Sequence, residues 1–201
     1  MSKPPKIIEY DYLLPPEECE RAYRILGGQP TDDPCGHPDQ FLKADRVCFG
    51  DTAENDGMRL AWGPRVLLNP THGERRPEEE PNFEWYPLSR WVQKASIEAQ
   101  RGSTVLALLP AATDRAWFHT YLPEFAASVC LLRARIKSYA PDREGGGSPI
   151  LQPQPRHPHL YALFTKDQAT FDRFYEELGK DTTERERMGV VFEPNPPNLG
   201  V

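Results

Sequence analysis

Arg65-Val66-Leu67-Leu68-Asn69-Pro70-Thr71-His72-Gly73 is the stretch that decides the fold reading. A residue before proline is driven to extended geometry, so the apolar run that stops at Asn69-Pro70 predicts a buried strand over 65–68. Open α/β sheets collect their ligands at the carboxyl ends of strands, which puts any chemistry at 69–73. Working outward, Thr104–Leu109 ending at Pro110 predicts a central strand, and 128–134, 159–164 and 188–192 predict three more. Between them, residues 15–26, 88–101, 114–122 and 167–178 carry apolar positions at helical spacing. The first of these helices has prolines and acids at its start and Gly27-Gly28 as its stop. The alternation of strand and helix predicts an α/β fold with a mainly parallel sheet. It forms one domain over 1–180, followed over 181–201 by an edge strand and a proline-rich tail.

Length and composition bound the answer. A chain of 201 residues with 38% hydrophobic and 27% charged residues is globular in character, and no stretch approaches the ~20 apolar residues of a membrane helix. The N-terminus has no apolar core followed by a small-residue cleavage site, so a cytoplasmic location is expected. The four cysteines (Cys19, Cys35, Cys48, Cys130) show no C-x-x-C pairing and predict free, mostly buried thiols. With 22 prolines and 14 glycines the chain predicts long ordered loops; 139–158 reads as loop, and the acid-rich 74–84 as a solvated one. A net charge of −6 argues against polyanion binding by the whole surface and leaves room for a local basic face.

Three constellations fall near the predicted strand ends. They are Asp32-Asp33-Pro34-Cys35-Gly36, read as a turn; Asn69-Pro70-Thr71-His72-Gly73; and Leu109-Pro110-Ala111-Ala112-Thr113-Asp114 leading into Trp117-Phe118-His119. A carboxylate turn suits a ribose, an ammonium group or a metal, and taken alone is more often purely structural.

Taken in order, these segments resemble the phage-type DNA N-6-adenine methyltransferases. The resemblance runs over roughly 13–165, through Leu14-Pro15-Pro16-Glu17, Asp33-Pro34-Cys35, Glu54-Asn55-Asp56-Gly57-Met58, Trp62-Gly63, Val66-Leu67-Leu68-Asn69-Pro70, Trp91-Val92-Gln93-Lys94-Ala95, Leu108-Leu109-Pro110-Ala111, Trp117-Phe118-His119 and Arg133-Ala134-Arg135-Ile136-Lys137. It implies a Rossmann-like S-adenosylmethionine-dependent methyltransferase sheet with helices on both faces, methyl transfer to adenine N6 in DNA, and residence in a bacterial host cell if the chain is phage-encoded. By the same resemblance Asn69 and Pro70 accept the target amine's hydrogens and His72 takes the base-stacking place. Asp33, Pro34, Cys35, Asp56 and Pro15 hold S-adenosylmethionine, and no catalytic metal is needed. The family's tetrapeptide is Asn-Pro-Pro-Tyr or Asp-Pro-Pro-Tyr; here Thr71 replaces the second proline and His72 the aromatic ring. That departure opens two alternatives: a related enzyme that modifies a different base or group, and an inactive relative that binds DNA or protein.

Arg133, Arg135 and Lys137 are expected to meet DNA phosphates, with Arg143, Arg156 and the loop at Gly145-Gly146-Gly147 nearby. Trp85 and Tyr86 are stacking candidates, with core packing the commoner fate. Asn195-Pro196-Pro197-Asn198 imitates the tetrapeptide but lacks a ring and the elements that should follow it. His157 and His159 are read as surface residues and His119 as packing beside Trp117.

Overall fold

Apolar residues on both sides of the central strands demand cover on both faces, and the chain supplies two helices to each. The computed structural model describes residues 13–49, 52–70, 86–140, 148–152, 157–179 and 189–195. Its elements run α1 (Pro16–Leu26), β1 (Asp32–Asp33), β2 (Arg46–Val47), β3 (Arg65–Leu68), α2 (Leu88–Gln100), β4 (Thr104–Pro110), α3 (Ala116–Phe125), β5 (Ser128–Leu132), β6 (Tyr139–Ala140), β7 (Ile150–Leu151), β8 (His159–Phe164), α4 (Gln168–Leu178) and β9 (Gly189–Phe192).

The sheet order is β2-β1-β3-β4-β8-β5-β9. The first four of these strands are mutually parallel, β8 is antiparallel to both β4 and β5, and β9 is antiparallel to β5. β5 therefore runs with β1, β3 and β4, while β8 and β9 run against them. The reversal at β8 has a simple cause. The connection after β5 stays on the edge where β5 ends, carrying the β6–β7 ladder, so the next strand must run back.

Side-chain alternation assigns the faces. Val66 and Leu68, Val105, Ala107 and Leu109, and Leu160, Ala162 and Phe164 share a layer with Trp91, Val92 and Ala95 of α2 and with Trp117 and Leu122 of α3. Their neighbours Leu67, Leu106, Leu108, Tyr161 and Leu163 point the other way, onto Ala22 and Ile25 of α1 and Phe174 and Leu178 of α4. Full burial of a side chain of this size stabilises by about 1.5–3 kcal/mol, so these two layers hold the fold.

Helix ends follow the sequence signals. Gly27 takes φ 70°, a left-handed conformation that side chains resist, and the amide of Gly28 donates to Tyr23 O at 2.8 Å. Arg173 of α4 also donates to Ile25 O at 2.9 Å, tying the two helices of that face at α1's carboxyl end. Asp167 caps α4 through the amide of Thr170 at 2.9 Å.

Four readings need correction. Asp32-Asp33 is a buried strand followed by a turn at 34–35, hidden in the sequence because its inward groups are carboxylates. Asp32 is tolerated there because Arg46 of β2 pairs with it and the amide of Gly63 donates to it at 2.6 Å. The loop at 139–158 contains the β6–β7 ladder. Helix α3 begins two residues later than expected and runs through Pro123, which lies on its exposed side in the last turn. β5 stops at Leu132, two residues short of the expected end.

Candidate functional site

The connection leaving β1 turns outward to β2, whereas the connection leaving β3 passes through α2 to β4 on the other side. The chain thus diverges between the carboxyl ends of β1 and β3, and a crevice at such a switch point is where open α/β sheets bind ligands. Two of the sequence constellations meet there. Pro34-Cys35 leaves β1, Asn69-Pro70 leaves the adjacent β3, and a main-chain hydrogen bond from Asn69 reaches the Cys35 thiol. Asn69 is half-buried and Pro70 buried; Thr71 and His72 lie outside the described residues, as do 74–84, Trp85 and Gly145–Gly147.

Asp33 closes the β1 turn from inside. One carboxylate oxygen accepts the amide of Cys35 at 3.2 Å, the Gln40 side chain donates as well, and the main-chain carbonyl takes the amide of Cys48 at 2.8 Å. Burial, which these bonds only partly offset, pushes its carboxyl up to about 6, and the neighbouring Asp32 adds to the shift. The Cys35 thiol is pushed up for the same reason, burial first and Asp33 second. A cation placed beside this turn would relieve a buried, reluctant acid.

The segment after β2 supplies the next wall. A Cβ on Gly57 would stand 1.9 Å from the carbonyl oxygen of Pro34, so only glycine permits this approach. Trp62 Nε1 donates to Gly57 O at 2.7 Å, and Lys94 lies 5.0 Å over the Trp62 ring. That contact places Asp56 next to the Pro34 turn. Its carboxylate accepts the Met58 amide at 2.8 Å and the Tyr86 hydroxyl at 2.7 Å, with Arg59 at 3.2 Å. Tyr86 stands just before α2 and meets Trp91 edge-on at 6.0 Å. Gly57 and Tyr86 therefore join the predicted residues; Tyr86 was readable only as an aromatic, because nothing in the sequence pairs it with Asp56.

Other predicted residues go elsewhere. Pro15 is buried at the start of α1 and lines a cavity of about 210 Å³ with Glu18, Arg135 and Lys137. Glu18 is held there by Arg21 and by the Tyr161 hydroxyl at 2.8 Å. Arg133, Arg135 and Lys137 are exposed and follow β5, on the same sheet edge as Asn69 because β5 is parallel to β3. His119 does not pack beside Trp117. It is exposed, bonds Thr113 O at 2.7 Å and meets Phe118, whose ring is the one that touches Trp117. His159 departs from the surface reading, being half-buried opposite Pro110, and burial brings its imidazole down to about 4. Asn195 lies beyond β9, whose end is on the opposite edge from Asn69, and donates to Pro123 O at 2.7 Å. All four cysteines are free, and burial pushes Cys19 and Cys130 up to about 12.

Among the described residues no group of three or more histidine, cysteine or acidic side chains is arranged to hold a metal ion, and no helix is long and apolar enough to cross a membrane. Comparison with known proteins finds no matching family model, curated protein or solved structure.

Proposed function

We propose that the chain transfers a methyl group from S-adenosylmethionine to the N6 amine of adenine in DNA. The observation that carries this reading is the meeting of the Asp33-Pro34-Cys35 turn and Asn69-Pro70 at the switch point, joined by the Cys35–Asn69 hydrogen bond. The donor set suits the methyl donor. Two buried carboxylates, Asp33 and Asp56, lie at the Pro34 turn, a charge complement for a cation bearing ribose hydroxyls, and glycine at 57 lets the Asp56 segment approach the Pro34 carbonyl closely. The β8 strand inserted antiparallel between β4 and β5 is compatible with the sheet expected of such an enzyme.

S-adenosylmethionine supplies an electrophilic methyl group on a sulfonium, so the protein's task is to position the acceptor. The side-chain oxygen of Asn69 and the carbonyl of Pro70 accept the two hydrogens of the exocyclic amine and aim its lone pair at the methyl carbon. The carbon–nitrogen bond forms as the sulfur–carbon pair returns to sulfur, leaving a thioether. The surplus amine proton leaves through the same acceptors to solvent. A duplex adenine reaches this crevice only when extruded from the stack.

Incubation with labelled S-adenosylmethionine and unmodified DNA, followed by nucleoside mass analysis, tests donor, acceptor and product together. N6-methyladenine is the expected product. A different modified nucleoside would transfer the reading to another base, which the Thr71-His72 departure allows. Cofactor binding with no product on any base would make the chain an inactive relative, and no cofactor binding would remove the methyltransferase reading.

A further inference from the structure

Trp62 links the two edges of the sheet. Its main chain stands at the amino edge, just before β3, where its carbonyl accepts the Ser103 hydroxyl at 3.4 Å and the amide of the next residue, Gly63, donates to the buried Asp32 at 2.6 Å. Its indole reaches a segment at the carboxyl edge, because Nε1 donates at 2.7 Å to the carbonyl of Gly57, the residue that abuts the Pro34 turn. Asp56 and Gly57 belong to the connection between β2 and β3 and lie in no strand. Their place against Pro34 therefore relies on side chains, the Tyr86 hydroxyl on Asp56 and the Trp62 indole on Gly57.

Helix α2 holds the indole in turn. Trp62 shares the apolar layer with Trp91, Val92 and Ala95, and Lys94 Nζ lies 5.0 Å from the centroid of its ring. A cation over an aromatic face is attracted by the ring's quadrupole, the more so away from water. Lys94 is fixed by Glu98 at 2.8 Å, the two side chains being 13% and 2% exposed, and the exposed Arg101 adds a contact to Glu98 at 3.3 Å. A buried ion pair holds a helix no better than apolar side chains of the same volume. What this pair adds is an ammonium at a defined place over Trp62.

We propose that Trp62 is a positioning residue for the methyl donor: its indole N–H sets the Asp56-Gly57 segment against the Pro34 turn, and the Lys94–Glu98 pair sets the indole. This rests on the reading of the Asp33-Pro34-Cys35 turn and Asp56 as the cofactor site. The connection that begins at Asn69 ends in α2, so the acceptor's segment and the donor's segment share that helix as their support.

The test is calorimetry of the full chain with S-adenosylmethionine and with its demethylated product, alongside thermal melts, methylation kinetics and proton–nitrogen spectra of the indole groups. Trp62→Phe keeps an aromatic face under Lys94 and removes the donor. It is expected to weaken both ligands about tenfold and to raise KM by the same factor, while kcat moves by less than about twofold. Lys94→Met with Glu98→Leu replaces the buried pair by apolar volume. Its melting temperature is expected to stay level or rise, yet both ligands weaken about threefold, a combination that a merely structural role would not produce. Lys94→Arg, which keeps a cation over the ring, is expected to bind as the parent does. The Trp62 indole signal, identified among those of the four tryptophans by its loss in Trp62→Phe, is expected to exchange slowly with water and to shift when cofactor is added. Parental affinity in Trp62→Phe, or an indole signal unmoved at saturating cofactor, overturns the proposal. Should Trp62→Phe fail to fold, the double variant decides, and parental affinity there overturns it. A parent that binds neither ligand removes the donor reading and this role together, whereas a parent that binds both while the variants match it removes this role alone.

Discussion

The main chain of Asn69 hydrogen-bonds the thiol of Cys35, so the segment proposed to hold the methyl donor and the segment proposed to hold the acceptor meet through one sulfur. Methyl transfer depends on the distance and angle between the two reactants, and a bond between their supports fixes both. Cys35→Ala is expected to lower turnover about tenfold or more, while the cofactor dissociation constant shifts by less than about threefold. Single-turnover rates and calorimetry separate these effects. Equal loss in both would make the sulfur part of the cofactor site itself.

Asn69→Ala is expected to abolish turnover and leave cofactor affinity nearly intact, because its side-chain oxygen acts on the amine and not on the sulfonium. Asn195→Ala is the control: on the far sheet edge and bonded to Pro123, it should leave activity unchanged. Activity lost at 195 and kept at 69 would move the site across the molecule. His72→Tyr restores the larger ring of the family's tetrapeptide and should preserve or raise adenine methylation, base stacking being worth about 1–3 kcal/mol.

Tyr86→Phe removes the hydroxyl that donates to Asp56 at 2.7 Å. A hydrogen bond to a charged group contributes about 1.5–3 kcal/mol, and here Met58 and Arg59 still hold the carboxylate, so the stability loss should fall near the lower bound. Denaturant melts report that loss. A weaker cofactor constant in the same variant, restored by no change of pH, would show that Tyr86 positions Asp56 for the ribose; an unchanged constant would confine Asp56 to structure.

How much of this was legible depended on which force shaped each segment. Val66-Leu67-Leu68, Thr104–Leu109 and His159–Phe164 are strands because both their faces are apolar, and a run of such residues announces itself. The helices announce themselves by spacing, and Gly27 and Asp167 mark their ends. β1 was not legible because its inward groups are Asp32 and Asp33, which satisfy themselves through Arg46, Gly63, Cys35 and Gln40, partners that only the fold brings near. The same holds for the candidate site. Asp33, Cys35 and Asn69 stand in recognisable motifs, whereas Tyr86 and Gly57 matter through contacts 30 and 23 residues away in sequence, with Asp56 and Pro34 respectively. The direction of β8 was likewise hidden, since a strand's residues say that it is buried and not which way its connection returns.

Asp33 and His159 make opposite demands on pH, and substitution should separate them. Burial pushes the Asp33 carboxyl from 3.8 up to about 6, so between those values the native chain binds more protons than the unfolded chain and stability falls as pH rises. Burial, with His157 and Arg135 adding to it, brings the His159 imidazole from 6.5 down to about 4. Across that window the native chain binds fewer protons than the unfolded chain, and stability rises with pH. The two slopes nearly cancel from pH 4 to 6 in the parent. Asp33→Asn keeps an acceptor for the Cys35 amide and removes the buried acid, so its stability should climb from pH 4 to 6.5 and exceed the parent's at pH 7 by on the order of 3 kcal/mol. His159→Gln should show the reverse slope, falling from pH 3.8 to 6. Urea melts at half-unit pH intervals measure both, and parallel curves for all three proteins would show that neither group is buried as described. The same acid links stability to ligand binding: a cation beside Asp33 favours its ionised form, so cofactor binding near pH 6 should release a proton, seen as a binding enthalpy that changes with buffer ionisation enthalpy. Asp33→Asn should bind the cofactor more weakly and release none. A variant that gains stability and loses both the affinity and the proton would mark Asp33 as an acid kept buried at the expense of the fold for the sake of a cationic ligand.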